Sequence, residues 1–197
     1  MNKRLAILVM CAQGLVGCGG SHSSSTPLSP SPPMPSPQPP VAALAGNYLV
    51  TFEADPSCEE LPDALKTRTY GASIASTGGG TGGTGWFIAY LDGARFADVS
   101  GWGQRFMIKV TDYFVQFDFS DSFIVEKPEP GAYLTIAGGE GGVTFDPSNL
   151  STISAPFDGL FRYCVTNSDL KFPGCTADAT TDTLCRSRNS RWTLTRR

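Results

Sequence analysis

The sequence predicts an all-β fold: a single closed antiparallel β-barrel of about eight to ten strands with one short helix, preceded by a disordered tether. Three observations predict it. Apolar and polar residues alternate with period two in segment after segment from Asn47 to the C terminus. Short turns join those segments, and no spacing suits a βαβ unit. The segments are rich in aromatics, which free sheet edges would expose, so pairing of the last strand with the first is favoured over an open sheet.

The chain opens with Lys3 and Arg4, then an apolar run from Leu5 to Val16. That run is too short to span a bilayer and reads as an export signal over residues 1–17. It ends on Leu15-Val16-Gly17-Cys18, which resembles a bacterial lipobox. The resemblance implies cleavage before Cys18 and acylation of Cys18, with several acyl chains giving durable membrane attachment. Gly19 stands where an Asp would resemble an inner-membrane retention signal, so the outer membrane is the expected location.

Residues 18–44 form the expected tether. Ser and Pro dominate it, charge is absent, and it lacks the apolar surface needed to fold. Proline keeps such a chain extended at roughly 3.1 Å per residue. His22, the single histidine, falls in this segment and is not expected to be a ligand.

Residues 45–197 are expected to form one domain with its own core. Removing Lys3 and Arg4 with the signal leaves 13 basic against 18 acidic side chains, a balance of −5. That balance favours solubility and excludes nucleic acid as an expected partner. The domain's strands follow in order. In "NYLVTFEA", Tyr48, Val50 and Phe52 share a face. "CEELPDALKT" reads as the one short helix, with Ser57 as its cap and Glu59 and Glu60 complementing its dipole. In "TRTYGASIAS", Tyr70, Ala72 and Ile74 share a face, and "GWFIAYL" is apolar on both. In "QRFMIKVTD", Phe106, Ile108 and Val110 oppose Arg105, Met107 and Lys109. "YFVQFDF" sets Val115, Phe117 and Phe119 against Gln116 and Asp118. "FIVEK", "AYLTIAG", "GVTF", "FDGLFRYCV" and "RWTLTR" complete the set. The outward charges, Arg105, Lys109, Asp118 and Arg162, argue against a barrel facing lipid.

Cys58, Cys164, Cys175 and Cys185 remain once Cys11 is removed and Cys18 acylated. Four Cys in an exported domain imply two disulfides with three possible connectivities; Cys58–Cys185 with Cys164–Cys175 is the one we expect. Without a Cys-x-x-Cys pair or a histidine, no metal site is expected in the domain.

"LAGNYLVTF", with Gly46-Asn47-Tyr48, resembles the Gly-x-Trp opening of lipocalin-type (calycin) barrels, with Tyr for Trp. Such barrels carry an Arg late in the final strand that packs over that aromatic, and Arg196 or Arg197 matches it. The stretch "ADPSCEELPDALKTRTY" is similar to uncharacterised bacterial lipoproteins with a small barrel of this kind. The resemblance implies an interior that holds a small apolar ligand.

No motif carries catalysis. "TGGGTGGTG" matches a dinucleotide glycine spacing at Gly78, Gly80 and Gly83, but a strand follows where a helix N-terminus is required, so it reads as a hairpin loop. "AGGEGGVT" reads as a turn. The domain has no histidine, so Ser-His-Asp and Cys-His arrangements are excluded within it. Asp112, Asp118, Asp121, Glu126 and Glu129 crowd one region and read as solvated turns and outward strand positions. Neither catalytic residues nor a cofactor are therefore expected. The expected function is a membrane-anchored, non-catalytic barrel binding a small apolar or amphipathic molecule, lined by Tyr48, Tyr70, Trp86, Tyr90, Phe106, Phe117, Phe161 and Trp192. The alternative is a structural or protein-interaction module of the envelope with a filled barrel. The sequence names no protein partner.

Overall fold

The computed structural model describes residues 44–78, 84–99, 101–146, 148–168 and 175–197. The expected export signal, Cys18, nearly all of the tether and residues 79–83 of the glycine run lie outside the described residues. The strands are β1 (Gly46–Glu53), β2 (Thr67–Ser76), β3 (Thr84–Asp92), β4 (Gln104–Thr111), β5 (Phe114–Glu126), β6 (Ala132–Gly138), β7 (Gly141–Thr144), β8 (Thr152–Val165) and β9 (Thr181–Arg196), with one helix, α1 (Asp63–Lys66).

Each strand pairs antiparallel with its neighbours, and the ring closes where β1 meets β9. The upper half of β5 pairs with β6 and its lower half with β7, so those two short strands share one position in an eight-membered barrel. The jog between them falls at Gly138–Gly141, the expected "AGGEGGVT" turn. The start of β1 and the end of β9 lie at the lower rim. The β1–β2, β3–β4, β5–β6 and β8–β9 connections lie at the upper rim, so both disulfide-bearing connections share one end.

The seam between β1 and β9 sets Val50 against Leu194 and Phe52 against Trp192, the closure the aromatics favoured. At the lower rim, Tyr48 is paired with Arg196, whose guanidinium lies 5.8 Å from the tyrosine ring centroid. Gly46 has φ +146°, and a Cβ there would stand 3.4 Å from the Arg196 guanidinium. Glycine at this position therefore leaves room for the cation over the ring. The arrangement is compatible with a lipocalin-like fold.

Two bulges decide which side chains face inward. Between Met107↔Asp118 and Arg105↔Phe123, β4 advances two residues and β5 five. The lumen-facing row in β5 accordingly changes from Val115, Phe117 and Phe119 to Ser122, Ile124 and Glu126, while Val125 is buried in a separate cluster with Ala97, Tyr133 and Cys164. Between Phe157↔Ser190 and Gly159↔Ser187, β8 advances two residues and β9 three. That odd step lets Cys185 and Trp192 both turn toward the core, seven positions apart.

Three local expectations are corrected. α1 is one turn, Asp63–Lys66, and starts after Pro62 rather than near Ser57. Ser57 does not cap it: its N–H instead donates to Asp55 Oδ1 at 2.8 Å, so the aspartate organises the preceding turn. "YFVQFDF" and "FIVEK" are one 13-residue strand, β5.

Candidate functional site

The lumen is built from the inward rows of the strands. Phe52, Phe106, Phe117, Phe161, Tyr48, Tyr70 and Trp192 are each at most 1 % exposed. Phe52 has five aromatic neighbours, Tyr70, Phe106, Phe117, Phe119 and Phe157, with ring centroids 5.8–6.4 Å away. Phe117 stacks on the Trp192 indole at 3.9 Å and 6° between planes. The Trp192 indole N–H donates to Gly141 O at 3.1 Å, so the one polar atom of that side chain is satisfied at the β6–β7 jog. These rings occupy the space that a lumen ligand would need. Two cavities among the described residues lie at the upper rim: about 530 Å³ beside Glu53, Lys66 and Arg191, and about 250 Å³ between Pro62, Leu65, Pro128 and Tyr163.

Of the eight side chains expected to line the lumen, Tyr48, Tyr70, Phe106, Phe117, Phe161 and Trp192 point inward. Trp86 and Tyr90 do not, which corrects that expectation. In β3 the buried row is Gly85, Phe87, Ala89 and Leu91. The intervening row stands on the outer wall, with Tyr90 46 % exposed. "GWFIAYL" is apolar on both faces because Trp86 and Tyr90 pack outside against β4, where Lys109 Nζ lies 5.6 Å from the Trp86 ring centroid.

The upper end of the lumen holds a polar cluster around Glu126, a residue the sequence reading placed in solvent, and Tyr70, which it placed inside. Glu126 is 2 % exposed and forms an ion pair with Arg68 through both carboxylate oxygens. Tyr70 Oη donates to Glu126 Oε2 at 2.7 Å. Burial, and then the Glu126 carboxylate beside it, push the Tyr70 hydroxyl far above its ordinary range, so it remains a donor. Arg68 shares a face with Tyr70 and Ala72, and Glu126 with Ile124, so the spacing was visible. The missing element was the β5 bulge, which turns that face inward.

Substituting the two partners separates their surroundings. Arg68 is 27 % exposed at its side chain and Glu126 only 3 %. Arg68→Met leaves a buried carboxylate with Tyr70 alone, and a loss of about 3 kcal/mol is expected. Glu126→Gln leaves a cation that reaches water at the rim, and about 1–2 kcal/mol is expected. Urea denaturation of both variants, with the disulfides intact, checks this order; a costlier Glu126→Gln contradicts it.

Two disulfides, Cys58–Cys185 and Cys164–Cys175, with Cα separations of 5.6 and 5.8 Å, fix the same rim. Asp55 accepts from the Ser187 hydroxyl and from Ser57 N–H, which together hold its carboxyl well below the usual range, and the Ser187 bond ties the β1–β2 connection to β9. Asp178 accepts from Ser168 Oγ at 2.6 Å and Thr166 Oγ1 at 3.2 Å and is held down to about 2. Cys164, Cys175 and Asp182 offer ligand atoms within 4.8 Å of one another. Those sulfurs are joined to each other, and Arg162 engages the Asp182 carboxylate at 2.8 and 2.6 Å, so the group does not fit a metal site.

No family model, curated protein or solved structure matches this chain.

Proposed function

We propose that this chain is a non-catalytic binding module of the bacterial envelope, anchored to the outer membrane through Cys18 and meeting its partners with the rim and outer wall of a filled, lipocalin-like barrel. The observation that carries this reading is the ring cluster around Phe52, Phe117 and Trp192. Its packing leaves the lumen to the core and transfers recognition to the outside. Of the two functions the sequence suggested, the geometry supports the filled module over the lumen-ligand barrel. The anchoring half rests on the order of basic start, apolar run, Leu-Val-Gly-Cys and Ser/Pro segment. A rim held by two disulfides, following a Ser/Pro-rich segment, is suited to presenting a binding surface.

The two halves are tested together on protein from its own host. Palmitate labels the full chain and not the Cys18→Ala variant, and native mass spectrometry gives the acylated mass with no further apolar molecule attached. Labelling that persists in the variant overturns the anchor. A co-purifying lipid held by the domain overturns the filled barrel.

A further inference from the structure

The β3–β4 connection folds back along β5 instead of standing free. Lys127 N–H donates to Arg95 O at 2.7 Å, Ala97 N–H to Val125 O at 2.8 Å and Val125 N–H to Gly103 O at 2.9 Å. Val99 and Trp102 exchange backbone hydrogen bonds of 3.4 and 2.9 Å, closing a small hairpin that presents Trp102. Gly103, at φ +93°, allows this course, because a Cβ there would overlap the Ala97 carbonyl oxygen. Against the outer wall of β3 and β4 the hairpin leaves a groove of about 300 Å³, lined by Tyr90, Phe96, Asp98, Trp102, Gln104 and Arg105 among others.

Arg105 is one of its lining residues. It pairs across the sheet with Tyr90, and its guanidinium lies 4.6 Å from the Trp102 ring centroid. Its Nε is buried without a hydrogen-bond partner, and Arg105 forms no ion pair among the described residues. Among the groove's other polar groups, Asp98 Oδ1 accepts from Gly101 N–H at 2.9 Å, and Gln104 Nε2 donates to Leu91 O at 2.8 Å. A guanidinium is planar and presents its donors as a fixed fork, which matches a carboxylate, and the Trp102 indole 4.6 Å away restricts where that fork can lie. Tyr90, 46 % exposed, and Trp102 flank it with apolar surface. The volume is at the small end of ligand sites and suits a body of one or two residues. The chain's net charge of −3 argues against a broad basic surface for polyanions.

We propose that this groove binds a carboxylate joined to an aromatic or branched apolar body, such as the free C-terminus of a peptide, with Arg105 pairing the carboxylate while Tyr90 and Trp102 enclose the body. The proposal deepens the preceding reading and rests on it only in placing recognition on the outer wall.

The test titrates the ¹⁵N-labelled chain from Gly19 onward with N-acetylphenylalanine and, separately, its amide. The readout is the Arg105 Nε–H and the indole N–H resonances of Trp102 and Trp192. The acid is expected to shift the Arg105 and Trp102 signals and to bind about tenfold more tightly than the amide. Arg105→Gln removes that preference. Tyr90→Ser, at an exposed position, weakens acid and amide alike. Equal binding of acid and amide with Trp192 silent, or a preference that survives Arg105→Gln, overturns this proposal alone. Shifts at Trp192 with none at Trp102 overturn it together with the filled-barrel reading.

Discussion

Phe52→Ala is expected to destabilise the domain by about 3–5 kcal/mol and to open a site for a small apolar solute. Phe52 is fully buried and touches five other rings, so its neighbours cannot all move into the space it leaves. Trp192 is held by its hydrogen bond to Gly141 O, and Phe117 by its stack on Trp192, which limits collapse further. A void lined by Phe106, Phe117, Phe119 and Phe157 should therefore remain, dry and apolar. Equilibrium urea denaturation, with the disulfides intact, measures the cost. Titration with benzene, followed through the resonances of neighbouring amides, measures the void. The unaltered protein is expected to give no saturable benzene shift. A cost under about 1 kcal/mol would mean that the rings do not fill the lumen, and the same benzene binding in the unaltered protein would mean that a pocket already exists there.

Much of this interior was legible in the sequence, because alternation reports a strand's two faces wherever its register is regular. β1, β2 and β4 are regular, and Tyr48, Val50, Phe52, Tyr70, Phe106 and Ile108 face the core as their spacing required. Closure of the barrel was legible for an energetic reason: β1 and β9 both carry large inward rings. The resemblance of the Gly-x-Tyr opening to calycin barrels implied that Arg196 or Arg197 packs over Tyr48, and it is Arg196 that does so. Three features were not legible. Alternation cannot say which row of "GWFIAYL" is inside when both are apolar. Trp86 and Tyr90 lie outside because Phe87, Ala89 and Leu91 fit the lumen beside Phe106. Bulges leave no mark in a single sequence, and the one in β5 reverses the faces on either side of it. That reversal converts Glu126 from a solvated strand end into the buried partner of Arg68 and Tyr70. The groove at Arg105 depends on a connection that folds back onto β5, and periodicity does not describe connections.

Loss of the two disulfides is expected to have unequal consequences. Cys58–Cys185 spans 127 residues and Cys164–Cys175 spans 11. In the chain-entropy model, removing the first by Cys58→Ser with Cys185→Ser costs about 5 kcal/mol, and removing the second by Cys164→Ser with Cys175→Ser costs about 3. Topology strengthens the contrast. Every strand pairing except the seam joins segments close in the chain, whereas Phe52 and Trp192 must meet across almost the whole domain. Cys58–Cys185 shortens that separation in the unfolded chain and so favours the one pairing with the largest loop-closure entropy. Without it, opening should begin at the seam. Amide exchange at Val50, Phe52, Leu194 and their neighbours is expected to accelerate more than exchange in the β4–β5 hairpin. Without Cys164–Cys175, faster exchange should be confined to the upper ends of β8 and β9, since that bond closes only their connection. Uniform acceleration across the barrel, or equal costs for the two pairs, would mean that the seam is held by its aromatic packing rather than by the covalent link above it.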